Sequence, residues 1–351
     1  MLSIFQPIGV LVCSGIAYGF IPRFSCALSP NAPEVSVMNA ADCPRSENMG
    51  WRYMLFTLGG ITLFVFFARF LVFTFRESPQ YLLARGLDEK AIDVVKQIAK
   101  VNKAKPPLFG LHHFDEIDRR LGLQPGLKRK VAAKESARES CMAMIRNFAN
   151  ARFLFSTPTM ARVTIILWLV FIADFWSFSM AGFFLPQILI DKGGAANIPL
   201  SETYKNFVAI YAPGIAGCLL AACMVEVPRL GRQWAMVFSS ALMAISLFLY
   251  TVVDTQAASV GFNAMEYFFQ SMFNAILYAF VPEVYPSSVR GTASGLASTW
   301  GRLSSILAPI AGQSLYSHNT NGVLYLAGGV MLLCPVALAL LPFDTRGRRT
   351  F

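Results

Sequence analysis

The longest apolar stretch of the sequence is VTIILWLVFIADFWSFSMAGFFLPQILI, residues 163–190, and it decides the fold class. Its single charged residue is Asp174. An α-helix rises about 1.5 Å per residue, so about 20 apolar residues cross the roughly 30 Å hydrocarbon layer of a bilayer. The stretch therefore predicts a membrane-spanning helix with residues to spare for tilt.

Seven further apolar runs of similar length lie on either side of it. The sequence thus predicts an all-α polytopic membrane protein with eight transmembrane helices. The eight runs are residues 4–21, 53–75, 163–190, 207–227, 234–253, 257–282, 291–316 and 323–342.

Composition supports this class and argues against others. Of 351 residues, 55% are hydrophobic and 14% are charged, which is far from the usual balance of a soluble domain. The net charge of +10 does not indicate a nucleic-acid-binding surface, because the basic residues lie between the apolar runs. The sequence contains three His and seven Cys, and no two Cys form a CxxC pair. It also contains no recognisable nucleophile–base pair or phosphate loop, so neither an enzyme nor a metal or cofactor site is predicted.

The basic residues also predict the orientation. Residues 76–162 contain 17 Lys and Arg against 9 Asp and Glu, and further basic residues follow at 229, 232, 290, 346, 348 and 349. Connections with few basic residues alternate with these segments. Because cytoplasmic connections carry the excess of Lys and Arg, both termini are predicted to be cytoplasmic.

The long outer connection, residues 22–50, contains Cys26 and Cys43. An oxidising outer space permits a disulfide between them, and two unrelated free thiols are the alternative.

The spacing of the runs divides the chain. Residues 1–75 contain two predicted helices, 76–160 form a cytoplasmic loop, 161–343 form a six-helix bundle, and 344–351 form a cytoplasmic tail. Two helices alone make a poor folding unit, so the first segment is interpreted as the remnant of an amino-terminal bundle.

Ionisable and amide side chains within the runs are candidates for a pathway. An ionised group at the bilayer centre costs about 2.5 to 3.5 kcal/mol on insertion scales, so it should face a cavity or a partner. Four polar residues of the sixth run recur every three or four positions and share one helix face. Either buried acid is a candidate to bind a proton and couple its gradient to solute movement; structural ion pairs or polar helix contacts are the alternative. The candidate substrate or proton pathway residues are Asp174, Asn263, Glu266, Gln270, Asn274 and Arg302.

Three segments at predicted cytoplasmic ends of helices combine Arg, Gly and carboxylates: RESPQYLL at 76–83, VPRLGRQ at 227–233 and PEVYPSSVRGT at 282–292. Such turns let helix ends approach and let Arg bridge to carboxylates or helix C-termini, which can hold one conformation and release it in another. Simple positive-inside anchoring is the alternative for the arginines. The candidate gating residues are Glu77, Ser78, Pro79, Glu226, Arg229, Gly231, Arg232, Glu283, Arg290 and Gly291.

Together these three segments resemble the major facilitator superfamily, in its sugar-porter-like branch that includes the synaptic-vesicle-glycoprotein-like organic ion transporters. The resemblance implies that the eight runs match helices five to twelve of a twelve-helix fold. It further implies a secondary active transporter that moves a small polar solute by alternating access; the buried acids predict that this transport is coupled to protons. Pro228 and Gln233 depart from the usual Asp-Arg-x-Gly-Arg-Arg turn, and Gln80 departs from the Arg that commonly follows Glu-Ser-Pro.

The expected partners are a lipid bilayer, a small-molecule solute and protons, in a plasma or organellar membrane. With the first four helices of the family missing, the chain alone is not expected to enclose a pathway. A sequence that lacks its start, a degenerate paralogue and pairing with a separate half are the three explanations. The first is expected because the remaining motifs look intact and Met1 falls almost at the start of a run. A non-transporting membrane sensor or regulatory partner is the alternative function.

Overall fold

The computed structural model describes residues 2–25, 48–72, 76–84, 86–105, 108–120, 122, 150–192, 200–227, 230–253, 255–286, 289–316 and 320–342. Within these ranges the chain forms helices joined by turns, without a strand. Short 3₁₀ turns span Leu2–Ile4 and Asn150–Phe155. The α-helices are α1 (Phe5–Phe24), α2 (Gly50–Val72), α3 (Pro79–Ala84), α4 (Asp88–Val101), α5 (Leu111–Arg120), α6 (Pro158–Lys192), α7 (Leu200–Tyr211), α8 (Pro213–Glu226), α9 (Gly231–Val252), α10 (Gln256–Val284), α11 (Arg290–Tyr316), α12 (Thr320–Met331) and α13 (Leu333–Ala339).

The described part of every predicted apolar run lies mainly in these helices. Six helical segments are long and apolar enough to cross a membrane: Phe5–Phe24, Gly50–Val72, Pro158–Leu185, Ser201–Glu226, Gly231–Val252 and Asn321–Ala339. Helices α10 and α11 have 29 and 27 residues, which is sufficient length, but polar and small residues lower their hydropathy. The all-helical membrane architecture is thus confirmed, whereas the count of eight spans stays a prediction.

The fourth run differs most from its predicted boundaries. Its helix begins at Leu200 instead of residue 207, because the polar residues Ser201, Glu202 and Lys205 are part of helix α7. Glu202 lies in the first turn, where a negative charge interacts favourably with the helix dipole. The run is also interrupted before Pro213, which occupies the first position of α8, where its missing N–H costs little.

Helix α6 lies at the centre of the main hydrophobic core. Phe171 and Phe184 are fully buried in it, and α11, α12 and α13 all pack against α6. Helix α11 meets α6 with small residues: a Cβ on Gly301 would lie 2.8 Å from Cδ2 of Phe175, and one on Gly312 would clash with Phe184. Helix α10 packs on α8 and α9 on the other side of the same core. Helix α10 therefore packs against several neighbouring helices.

The first two helices pack against each other, and α1 also packs on α7. Between α1, α2 and α7 lies a cavity of about 470 Å³, whose lining includes Gln6, Ser14, Met54 and Tyr204. Every residue of α2 after Gly50 is at least partly exposed, so this helix offers a long apolar surface. Such a surface suits acyl chains or further helices.

Gln233 ties the beginning of α9 to the end of α13. Its side chain is 9% exposed, and Nε2 donates hydrogen bonds to the carbonyl oxygens of Leu338 (2.9 Å) and Leu341 (3.3 Å). The carbonyl oxygen of Leu338 also accepts from the backbone N–H of Leu341 at 3.1 Å, so Gln233 adds a second donor there and supplies a donor to the carbonyl oxygen of Leu341. Gln233, which stands where the resemblance leads us to expect Arg, therefore has a clear structural role.

We predict that Gln233→Leu lowers the free energy of unfolding by about 1–3 kcal/mol, because it removes two hydrogen bonds at a buried position and leaves the carbonyl oxygen of Leu341 without this donor. The measurement is thermal or denaturant unfolding of the purified chain in detergent. The matched control is Gln313→Leu at an exposed position of α11, which should leave stability almost unchanged. An equal effect of the two substitutions would contradict the role given to Gln233.

Candidate functional site

The polar stripe of α10, defined as Asn263, Glu266, Gln270 and Asn274, is buried along its whole length. The four side chains are between 3% and 8% exposed. Glu266, Gln270 and Asn274 are four residues apart and therefore lie one above the other on one helix face. Asn263 donates from Nδ2 to the carbonyl oxygen of Ser259 at 2.8 Å.

Asp174 brings a second acid to this stripe from α6. Its side chain is 2% exposed and it interacts electrostatically with Glu266, so the two acids of the sequence prediction converge. Among the described residues, neither Oδ1 of Asp174 nor Oε1 of Glu266 accepts a hydrogen bond. The amide oxygen of Asn274 is in the same situation. Buried oxygens without a donor are costly, so this cluster is suited to bind protons or a polar solute.

Three tyrosines interact electrostatically with the two acids, and the sequence analysis did not identify them. Tyr211 of α7 and Tyr267 of α10 interact electrostatically with Glu266, and their rings meet edge to face with centroids 4.8 Å apart. Tyr278 interacts with Asp174, and its ring meets that of Phe171 at 5.8 Å. Within α10, Tyr267 directly follows Glu266 and Tyr278 lies four residues after Asn274, which is the signal that would have identified them.

Arg302 of α11 lies beside this cluster with an exposed side chain. Its guanidinium carbon is 5.7 Å from the centroid of the Phe175 ring, and it interacts electrostatically with Tyr278. Glu283 does not pair with Arg302; it forms an ion pair with Arg232. Tyr278 thus interacts with both Arg302 and Asp174.

Two of the candidate gating residues, Arg232 and Glu283, meet at the carboxy-terminal end of α10. The Arg232–Glu283 ion pair joins the start of α9 to the last turn of α10. Gly231, directly before Arg232, has φ +60°, a left-handed conformation that favours glycine. Beyond α10, Tyr285 is buried and its hydroxyl lies 3.0 Å from Oγ1 of Thr164, near the start of α6.

Thr164 also donates to the carbonyl oxygen of Leu154, a fully buried residue in the turn before α6. Three parts of the chain, the turn before α6, the start of α6 and the end of α10, are therefore linked at one end of the bundle. Helix α10 ends at Val284 because Tyr285 precedes Pro286, and a residue before proline disfavours helical backbone.

The segment at 76–83 has a local structural role. Oγ of Ser78 accepts a hydrogen bond from the backbone N–H of Tyr81 at 3.2 Å, and Pro79 is the first residue of α3. Ser78 is thus the N-cap and Pro79 the first helical residue, which is the usual preference of both residue types. Glu77 is exposed beside them.

The remaining predicted residues are less closely connected. Glu226 ends α8 with an exposed side chain, and a Cβ on Gly291 would meet nothing within 4 Å. Nε of Arg290 finds no acceptor among the described residues. Arg229, Cys26 and Cys43 lie outside the described residues, so the disulfide stays a prediction. In the described ranges no group of three or more His, Cys, Asp and Glu is placed to hold a metal ion.

We predict that reversing one charge of the Arg232–Glu283 pair destabilises the bundle and that exchanging both charges restores it. Glu283→Arg places two like charges together at a half-buried position, and its expected cost is about 1 kcal/mol. The double exchange, Arg232→Glu with Glu283→Arg, should recover most of this loss, as measured by a double-mutant cycle of melting temperatures. Additive losses would show that the two side chains do not act together.

Comparison with known proteins agrees with this architecture. The sequence profile of the Major Facilitator Superfamily matches residues 167–351. The MFS siderochrome iron transporter 1 of Ceriporiopsis subvermispora is 33% identical over 99% of this chain and 64% of its own length. The synaptic vesicle 2-related protein of Rattus norvegicus is 25% identical over 86% of this chain and 52% of its own length.

The fold is similar to that of the proton:xylose symporter XylE bound to 6-bromo-6-deoxy-D-glucose, with a TM-score of 0.64 and 16% identity. The match covers 99% of this chain and 64% of the symporter. The chain spans somewhat under two thirds of the length of these proteins. From the matched profile, the relatives and the all-helical fold it follows that this chain belongs to the major facilitator superfamily, a family of membrane transporters and not of enzymes.

Proposed function

We propose that the chain acts in a secondary active transporter that moves a small polar solute by alternating access, coupled to protons. The observation that carries the proposal is the convergence of Asp174 and Glu266 with the polar stripe of α10, all buried between helices. Ionisable groups at this depth are typical of substrate and proton paths. When a proton binds to either carboxylate, it removes a negative charge that is costly within the bilayer. When the proton leaves, the negative charge returns.

We further propose that the eight helical segments correspond to helices five to twelve of the twelve-helix fold, with both termini on the cytoplasmic side. In this arrangement residues 1–75 belong to the amino-terminal bundle and residues 161–343 form the carboxy-terminal one. Supporting this, α10 and α11 are long enough to span the bilayer in addition to the six apolar segments, and the match to the symporter extends over 99% of the chain.

In this arrangement the Arg232–Glu283 pair lies at the cytoplasmic end, where it holds α9 against α10. Alternating access requires contacts that form in one state and open in another, and a partly exposed ion pair is weak enough to do this. The buried Tyr285–Thr164 contact is the more permanent connection at the same end.

A path lined by α10 needs helices on its opposite side. The chain spans 64% of the siderochrome transporter relative and of the symporter, so we propose that four further helices, in the same polypeptide or a separate one, complete the pathway. The large unburied surface of α2 is consistent with such neighbours.

The test is reconstitution into proteoliposomes with an imposed proton gradient. We expect the chain alone to show no saturable uptake of a panel of small polar solutes, and the chain joined to the first four helices of the siderochrome transporter relative to show it, with solute-induced change of internal pH. Gradient-driven uptake by the chain alone would refute the need for further helices. Failure of the joined protein, when correctly folded and inserted, to move any solute would refute transport.

A further inference from the structure

Helix α4 has an apolar face that α3 covers only in part. Ala91, Val94, Ile98 and Val101 recur every three or four positions, so they share this face. Ala91 and Val94 belong to a small buried cluster with Leu82 of α3. Ile98 and Val101, by contrast, are 47% and 81% exposed. The apolar face is therefore open at the carboxy-terminal end of α4.

The same end of the helix carries positive charge without acids. Residues 94–105 contain no Asp or Glu and four Lys, namely Lys96, Lys100, Lys103 and Lys105. All four side chains are exposed, and no described acidic residue forms an ion pair with any of them. Positive charge next to exposed apolar side chains complements a surface that is negative outside and apolar beneath.

The backbone at Lys103 indicates a role for its charge. Its φ is +53°, and it is the single non-glycine residue of the described part with a positive φ. The N–H of Ala104 donates to the carbonyl oxygen of Ala99 at 2.8 Å, which closes the helix in an arrangement that usually places glycine at position 103. A side chain strains this conformation. A positive charge also suits the end of the helix dipole, but Lys100 in the last turn already supplies one.

The connection to α2 keeps α4 near the bilayer. Helix α2 has 23 residues and is thus about 34 Å long, which is enough to cross the hydrocarbon layer. From Val72 at its end to Pro79 at the start of α3 the chain spans at most about 25 Å, and α3 packs directly on α4. In the orientation proposed above, this end of α2 is cytoplasmic, and the cytoplasmic leaflet carries the anionic lipids.

We propose that the basic end of α4, defined as Ile98, Lys100, Val101, Lys103 and Lys105, docks on anionic lipid headgroups of the membrane that the chain spans. The two apolar side chains enter the boundary below the headgroups, while the three ammonium groups contact lipid phosphates and carboxylates. Because α4 lies in the connection between α2 and α6, docking holds this connection at the membrane surface. The inference goes beyond the transport proposal and uses only its orientation.

The experiment is amide hydrogen exchange of the full chain in lipid nanodiscs, followed by mass spectrometry. Three conditions are compared: phosphatidylcholine alone, an equal mixture of phosphatidylcholine and phosphatidylserine, and phosphatidylcholine with inorganic phosphate in the buffer. We expect residues 94–105 to exchange at least about tenfold more slowly in the phosphatidylserine mixture than in phosphatidylcholine alone, because several lysines contribute. Inorganic phosphate should have no such effect, and residues 111–120 of α5 should exchange equally in all three conditions.

Lys103→Gly separates the charge from the structure. Glycine suits the positive φ, so the end of α4 should not loosen, yet the slowing by phosphatidylserine should fall about fivefold for the lost charge. Lys103→Arg keeps the charge and should keep the slowing. The matched control is Lys96→Gln, because Lys96 lies about 200° around the helix from Ile98 and faces away from the docked surface. This control should change the slowing less than about twofold.

Val101→Ser tests the apolar contact at an exposed position, where the substitution should hardly affect stability. It should reduce the slowing at least about threefold, whereas Ile117→Ser, at an exposed apolar position of α5, should not change it. Equal exchange of residues 94–105 in the two lipid compositions would overturn the inference, as would equal effects of Lys103→Gly and Lys96→Gln. Slowing by inorganic phosphate as large as that by phosphatidylserine would show a site for soluble anions and would also overturn docking on the membrane.

Discussion

Glu266→Gln is expected to abolish the proton dependence of transport, with solute-driven pH changes falling at least tenfold. The carboxyl group is 8% exposed in the middle of the polar stripe and interacts with Asp174. The amide has nearly the same size and is neutral, so it resembles the protonated acid but cannot release a proton. The measurement is internal pH in proteoliposomes that contain the joined, transport-competent protein described above.

Two variants sharpen this experiment. Glu202→Gln removes an acid at an exposed position of α7 and should leave coupling intact. Asp174→Asn tests the neighbouring acid, and a smaller loss than that of Glu266→Gln would identify Glu266 as the main proton carrier. Unchanged proton dependence of Glu266→Gln, in protein that still moves solute, would contradict the role given to this residue.

The helical membrane architecture could be predicted because about 20 consecutive apolar residues have few other structural uses. The helix boundaries were harder to predict, because they depend on polar residues that extend a helix at the bilayer surface. Ser201 and Glu202 are an example: they look like a connection in the sequence and form the first turn of α7. The break before Pro213 was visible only as a proline within a long run.

The candidate site could be predicted in part for the same physical reason. Four polar residues spaced by three and four share a helix face, so their common burial follows from periodicity. The convergence with Asp174 needs the packing of α6 and α10, which no local pattern specifies. The bonds from Gln233 to Leu338 and from Thr164 to Tyr285 join residues 105 and 121 positions apart, and a single sequence gives no signal for such pairs.

The close approach of α8 to α10 shows how strongly packing depends on single glycines. Gly214, Gly217, Cys218 and Ala221 form the buried face of α8, and all are small. A Cβ on Gly217 would clash with the backbone carbonyl oxygen of Phe268 in α10. A backbone atom cannot rotate away as a side chain can, so the two helices must separate. Because α10 carries the polar stripe, this separation also disturbs the acids.

Gly217→Ala is therefore expected to destabilise the bundle by about 1–3 kcal/mol, and Gly217→Val by more, since overpacking forces backbone shifts. The measurement is the melting temperature of the purified chain in detergent. Gly329→Ala in α12 is the matched control, because its Cβ would meet nothing within 4 Å. Alanine forms helices better than glycine by about 1 kcal/mol, so the control should be neutral or stabilising. If Gly217→Ala were as stable as this control, the contact between α8 and α10 would have to be looser than described.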